Sequence, residues 1–369
     1  MTKKKILLVE CFAHFQNAKE TYNFFSQKYN IKVFTLNKFS KRFGLPNNSI
    51  ICSKYYLTFY LKLYFISYLY DYIYISTPPE YPDKVRNPKD LIIFIFHYIF
   101  FLIHILLYKN KSILQIRSIH RYIPSCKVLN IDKSFLPHFR YYLIFLVNRI
   151  VLESKFLKEI LKKKFQLKYK NKLISYFYIA HQNSKKIEKF SNKKIQKNSI
   201  KKIRIGVLGQ IDPLRKNYKL LLEIFKRSSF KSKFQLIFLG RAINSKSIKI
   251  INEFKRNKID FIYFNKYISD KRFKLYGKSC DFLMSLNTKI NYYGRYRLSG
   301  SFGDAIILKK KLIAPYFEDP YREFKDFTSY FKKKEDLIKL LDCKKFMKIN
   351  FNKFKSTDNL KRLKKELKI

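Results

Sequence analysis

Short apolar runs and helix-length stretches alternate along this chain, and the two periods sort it into elements. Lys5 to Glu10, Ile31 to Leu36, Tyr72 to Ile75, Ser112 to Ile119, Arg149 to Leu152 and Ile174 to Ile179 are compact runs dominated by Ile, Val, Leu and Tyr. Each reads as a buried strand. Between them Tyr22 to Tyr29, Tyr55 to Tyr70 and Phe156 to Phe165 read as helices, the last capped by Ser154, whose hydroxyl can accept an orphan N–H of the first turn. Cys11 to Asn17 and the proline-bearing stretch from Pro78 to Pro88 read as loops. Gln182 to Asn198 is polar and rich in Lys, Ser and Asn, as linkers are. The chain therefore divides into an N-terminal domain over 1–181, a linker over 182–200, a second domain over 201–343 and a basic, helix-patterned segment over 344–369. A length of 369 residues leaves room for two cores, and two Rossmann-like α/β halves fit it.

The second domain opens with the most informative stretch, Lys201 to Lys219. An alternating run, Ile203-Ile205-Val207, meets Gly206 and Gly209; a turn with Asp212 and Pro213 follows; Arg215 and Lys216 then precede Leu220-Leu221-Leu222. This is a strand, a tight loop and a helix start. In open α/β sheets ligands sit outside the carboxyl ends of such strands, where loop amides and the positive end of the next helix favour an anion. The basic pair points to phosphate, although a plain strand–helix unit with solvated lysines has the same residues.

The order of parts from here resembles the donor domain of GT-B fold glycosyltransferases, in the large retaining superfamily called glycosyl transferases group 1. Those enzymes open this domain with a strand, Gly-Arg, a short acidic turn and a Lys. Gly209-Gln210-Ile211-Asp212-Pro213 with Arg215-Lys216-Asn217 is similar to that signature with one added residue. Phe234 to Gly240 resembles their second strand, Ile259 to Phe264 their third, Asp270 to Cys280 the next helix and Asp281 to Ser285 the acceptor-facing strand. Ser299 to Pro315 resembles their nucleotide-binding loop, helix and following strand, so the likeness spans residues 201–315.

The resemblance implies an α/β architecture of two Rossmann-like domains facing each other across a cleft, with a nucleotide-sugar in the second and a glycan or lipid-linked acceptor at the first. It implies no cofactor beyond that donor substrate. Lys216 takes the place of the leaving-phosphate residue, with Arg215 or Arg297 assisting, and Gly209 and Gln210 fall in the donor loop. Ser299, Gly300 and Ser301 would offer backbone amides where the helix begins, and Asp304 would hold the ribose. Enzymes of this group often set a His near the reacting sugar; His120, delivered with Arg117 and Arg121 by the strand before it, is the candidate. No D-x-D motif stands in a loop suited to a metal-held diphosphate, so no metal is implied.

The departures from the family pattern are specific. Of two family glutamates eight positions apart, Asp304 ahead of Ala305 holds the second place. The first is missing, and the run Tyr292-Tyr293-Gly294-Arg295-Tyr296-Arg297 stands there instead. Gln210 occupies the family's Arg position. The chain is thus a divergent transferase, or a fold that has lost its catalysis. GT-B acceptor domains often have a glycine-rich loop after their first strand, yet no Gly occurs between Met1 and Phe43.

Composition adds a partner. The net charge is +53, from 79 Lys plus Arg against 26 Asp plus Glu, and it is divided almost equally between the two halves. A surface basic throughout attracts polyanions, an anionic membrane or nucleic acid. Leu91 to Tyr108 is an uncharged run of 18 residues that reads as a core helix, an interfacial helix or a span, and its position between two strands of one sheet favours a helix with a membrane-facing stripe. The expected location is therefore cytoplasmic, at the inner face of a membrane. A nucleic-acid-binding module is the competing reading, supported by the aromatic and basic residues of 292–297 but by no stacking or groove-reading motif. The five cysteines form no paired motif, which suits a reducing compartment, and the N-terminus lacks the apolar run and cleavage site of a secretory signal.

Overall fold

The computed structural model describes residues 3–10, 15–77, 88–122, 136–164, 172–176, 202–242, 244–342, 349–354 and 356–369. The linker expected over 182–200 lies outside them, as do the loop residues 11–14 and 78–87. The chain folds into two compact units, residues 1–183 with 356–369, and residues 184–355.

The first unit is a doubly wound parallel sheet. In chain order its elements are β1 (Lys5–Glu10), α1 (Phe15–Phe25), β2 (Asn30–Leu36), α2 (Asn37–Ser40), β3 (Ile50–Ser53), α3 (Tyr56–Tyr68) and β4 (Tyr72–Thr77). There follow α4 (Pro88–Leu107), β5 (Ser112–Ile116), α5 (Leu136–Leu146), β6 (Arg149–Leu152), α6 (Lys155–Lys164) and β7 (Leu173–Tyr176). The seven strands lie in the order β3-β2-β1-β4-β5-β6-β7, all neighbours parallel, so the winding reverses between β1 and β4. Parallel strands need helices on both faces, which is why β1 and β4 read as unbroken apolar runs.

The second unit repeats the plan with six strands. Its elements are β8 (Ile203–Leu208), α7 (Tyr218–Phe225), α8 (Ser228–Lys233), β9 (Phe234–Arg241), α9 (Ser245–Arg256), β10 (Phe261–Phe264) and α10 (Asp270–Ser279). After these come β11 (Phe282–Met284), α11 (Gly300–Leu308), β12 (Leu312–Pro315), β13 (Thr328–Phe331) and α12 (Lys334–Asp342). The parallel order is β10-β9-β8-β11-β12-β13, with the reversal between β8 and β11. Ile205, Val207, Leu236, Phe238, Phe282 and Met284 are fully buried or within 1% of it, and join the core beneath α7 and α9.

The last helix, α13 (Ser356–Leu367), belongs to the first unit. Leu360, Leu363 and Leu367 pack with Ile6, Leu8 and Tyr72. Its polar face is pinned as well: Lys158 meets Glu366 at 2.9 Å, Arg149 Nε donates to the Leu367 carbonyl at 2.9 Å, and the Arg362 guanidinium lies 3.8 Å from the Tyr176 ring centre.

Several elements differ from the sequence reading for local reasons. The run expected as a strand over Ser112–Ile119 ends at Ile116, because Ile119–Tyr122 winds into a 3-10 turn. The first helix starts at Phe15, inside the expected loop, where Ala18 and Phe25 supply its buried face. Strands β3 and β13, of four residues each, are too short and too rich in half-buried positions to stand out as runs. Leu91 to Tyr108 is not set apart as a span: all but its last residue falls in α4, and no helix among the described residues is long and apolar enough to cross a membrane.

Candidate functional site

Loop closure at the reversal point of the second sheet brings the signature residues together. The loop after β8 and the loop after β11 meet there, with Lys216 bridged to Asn287 and Asn217 N–H donating to the Leu286 carbonyl at 2.8 Å. This is the place where an open α/β sheet leaves a crevice outside its carboxyl edge.

Gly209 makes the turn with φ +79°, and Lys216 folds back across it, its Nζ donating to the Leu208 carbonyl. Asp212 builds the intervening loop: its carboxylate accepts from Leu214 N–H at 3.0 Å and its carbonyl from Lys216 N–H at 3.0 Å. Asn217 then caps α7 by accepting from Leu220 N–H at 3.1 Å. Lys216 is only 8% exposed. Burial lowers its ammonium to about 8, while the carboxylates of Glu318, Asp304 and Asp212 oppose that fall and Arg215 adds to it. Gln210 is exposed beside Gly209.

The start of α11 forms the second wall. Ser299 caps it, accepting from Ser301 N–H at 3.4 Å, and both serines are buried. Gly300 is exposed and has no atom within 4 Å of where a Cβ would stand, so the helix N-terminus opens onto free space. Asp304, one turn on, is half-buried; loss of water raises its carboxyl to about 7, and the Lys216 charge restrains the rise. Gly209, Arg215, Lys216, Ser299, Gly300, Ser301 and Asp304 thus share one edge of this unit. His120 lies in the other unit, in the turn Ile119–Tyr122, and its side chain is outside the described residues.

Glu318 is a buried carboxylate at this edge that the sequence reading did not single out. It sits fully buried in a short 3-10 turn just after β12. Ser285 Oγ donates to Glu318 Oε1 at 2.6 Å, and Asn287 Nδ2 donates to Ser285 Oγ at 3.1 Å and to Ser299 Oγ at 3.0 Å. One polar chain therefore ties the cap of α11 to a carboxylate that acts on Lys216. Burial raises the Glu318 carboxyl, and hydrogen bonds from Ser285, Ser299 and Asn287 together with Lys216 hold it back. The only sequence signal was a carboxylate directly beyond the carboxyl end of a strand, in Pro315-Tyr316-Phe317-Glu318.

The aromatic and basic run 292–297 closes into a loop over this turn. Tyr292 and Gly294 hold φ 56° and 72°, and Gly294 N–H donates to the Arg297 carbonyl at 2.9 Å. A Cβ on Gly294 would stand 1.6 Å from the Phe317 carbonyl oxygen, so only glycine fits. Tyr293 accepts from Arg215 Nη2 at 2.6 Å, and the Arg297 guanidinium lies 5.5 Å from its ring centre. The loop places two arginines on one tyrosine at the edge of the site.

No family model matches this sequence, and no curated protein matches it. Solved structures match its fold over nearly its whole length. Sucrose-phosphate synthase from Thermosynechococcus elongatus matches with a TM-score of 0.57 and 10% identity, over 99% of this chain and 95% of that one. HepE of Anabaena in complex with UDP-glucose gives 0.55 and 11%, over 98% and 93%. The lipopolysaccharide outer core galactosyltransferase WaaB in its apo form gives 0.54 and 11%, over 99% of each chain. These are GT-B proteins, and the fold of two Rossmann-like domains is theirs.

Proposed function

We propose that this chain is a glycosyltransferase that binds a nucleotide-sugar at the edge of its second unit and passes the sugar to a glycan or lipid-linked acceptor at the cytoplasmic face of a membrane. The observation that carries the reading is the convergence, at the sheet's reversal point, of a buried lysine, an open helix N-terminus and a carboxylate. A nucleotide-sugar needs these three: Lys216 with the exposed Gly300 end of α11 for the diphosphate, and Asp304 for the ribose hydroxyls. As the glycosidic bond breaks, negative charge grows on the bridging oxygen. Lys216, buried at this edge, and the positive end of α11 supply fixed positive charge to meet it. Arg215 and Arg297, gathered on Tyr293, supply the positive charge that Gln210 lacks. HepE, with its UDP-glucose, and WaaB, a galactosyltransferase, support a nucleotide-sugar as the ligand of this fold.

The membrane part of the reading rests on the first unit. Helix α4 buries His97, Tyr98, Phe101, His104 and Ile105 on one side and exposes Ile92, Ile95, Ile99, Ile103 and Leu106 on the other. Beside it α3 exposes Leu61, Phe65 and Tyr68, and the two helices are tied by Tyr64 Oη donating to the Phe100 carbonyl at 2.6 Å. A two-helix apolar face on a chain of net charge +53 combines insertion with attraction to anionic lipid, the two signals that stable peripheral attachment needs. The test is release of nucleoside diphosphate from a panel of nucleotide-sugars, with and without anionic vesicles bearing a lipid-linked glycan. Acceptor-dependent release from one donor supports the reading; no binding of any nucleotide-sugar overturns it.

A further inference from the structure

The second unit contains a cavity of about 560 Å³ that none of Gly209, Lys216, Ser299, Gly300 or Asp304 lines. It lies outside the carboxyl ends of β11, β12 and β13, beside the first turn of α7, and shares only Asn287 with the polar chain described above. Its lining has two chemistries. Leu220, Leu286, Pro315 and Phe331 form an apolar part, and Lys289, Lys332, Lys333 and Lys334 are its only charged residues. No carboxylate lines it. Lys334 is held by Glu223 at 3.0 Å, and Asp336 is committed to the backbone N–H groups of Lys332 and Lys333, at 3.0 and 3.2 Å. Lys289, Lys332 and Lys333 are largely exposed.

Tyr316 stands in the lining as a fixed aromatic. The Arg322 guanidinium lies 3.1 Å from its ring centre and Lys332 Nζ 4.5 Å, so cations hold the ring in place while Tyr316 stays 42% exposed. Like charges gathered in one cavity repel, and a concave wall of one sign focuses its field on whatever enters. An uncharged sugar would leave those lysines unanswered, and an inorganic ion would leave the apolar part bare.

We infer that this cavity is a second anion site, built for a phosphate-bearing organic molecule whose phosphate meets Lys289, Lys332 and Lys333 while its carbon body lies on Leu286, Phe331 and Tyr316. The shared chemistry has two sources, a soluble phosphosugar and a lipid-linked phosphate. The inference concerns binding and does not rest on the transferase reading.

The test is calorimetric titration of the full chain at physiological salt with glucose 1-phosphate, with a short-chain isoprenyl phosphate, and with inorganic phosphate and glucose as controls. Lys289→Glu combined with Lys333→Glu should weaken the preferred organic phosphate by at least ~10-fold, the scale of one charge-assisted hydrogen bond lost. Lys249→Glu, an exposed change on α9 with the same sign, and Lys216→Ala should change it less than about twofold. Tyr316→Ala should weaken the organic phosphate and leave inorganic phosphate alone. Tighter glucose 1-phosphate identifies a soluble ligand, and tighter isoprenyl phosphate a lipid one. Equal losses in the Lys249 and cavity variants, a loss confined to Lys216→Ala, or equal affinity for inorganic and organic phosphate would overturn the inference.

Discussion

Lys216 lies across Gly209: a Cβ built on Gly209 would stand 2.9 Å from Lys216 Nζ, and the backbone there holds φ +79°. The glycine therefore serves both the turn and the lysine's resting place. Gly209→Ala should lower stability by about 1–2 kcal/mol, the cost of a left-handed backbone for a residue with a Cβ, and should displace the lysine and weaken nucleoside diphosphate binding. Chemical denaturation and titration calorimetry measure the two. Stability and affinity both equal to wild type would remove Lys216 from that position.

Binding of a diphosphate should depend on pH through Lys216, whose folded value is lowered to about 8. Below that pH the ammonium is charged and affinity is full; as pH rises through it, affinity should fall. Lys216→Arg, which keeps its charge, should move that loss upward in pH. Glu318→Gln removes a carboxylate that holds the ammonium up, so it should move the loss downward. A flat profile from pH 7 to 10 in wild type would contradict both.

Asp304, raised to about 7, works in the opposite direction for stability. An unfolded Asp ionises near its ordinary value of 3.8, whereas the folded carboxyl keeps its proton to higher pH. The folded state therefore binds more protons between the two values, and stability falls as pH rises through that window. Asp304→Asn should flatten the fall and make the protein more stable at pH 8, while weakening donor binding more than turnover, since ribose contacts act equally on ground and transition states. Thermal melts from pH 4 to 8 read the first effect, and steady-state kinetics the second. An unchanged pH dependence would show that this carboxyl is solvated.

The central strands were legible because burial on both faces writes itself as an apolar run: β1, β6 and β8 occupy the expected residues almost to the position. The glycine turn with a lysine folded onto it was legible too, since a turn with positive φ needs Gly209 and a lysine seven positions on is a local signal. Glu318 was not, because what gives it meaning is contact with Ser285 and with the field of Lys216, groups 33 and 102 positions away along the chain. The shape of the run 292–297 was hidden for a related reason. The chain turns back at Tyr292 and Gly294 and brings Arg297 onto Tyr293, a contact that no local pattern announces. Helix α4 gave no period of its own because both of its faces are apolar, and only the fold distinguishes the packed side from the exposed one.

That exposed side gives a fourth expectation. Ile99→Asp with Ile103→Asp changes two residues that are 46% and 42% exposed, so the fold should survive. Co-sedimentation with anionic vesicles should fall about 10-fold or more, because charge replaces apolar area worth about 25 cal/mol per Å² at the acyl boundary. Salt should weaken wild-type binding by screening the basic surface. Vesicle binding that the double variant leaves intact would move the contact away from α3 and α4.

The proposed transfer depends above all on Lys216 holding the diphosphate of a nucleotide-sugar. Titrating the full chain and Lys216→Ala with the donor and with its nucleoside diphosphate, alongside turnover and far-UV circular dichroism, tests it most directly. The expected outcome is an unchanged spectrum, loss of transfer and at least ~10-fold weaker diphosphate binding in the variant, the worth of a charge-assisted contact. Undiminished diphosphate affinity in a folded Lys216→Ala protein would contradict it.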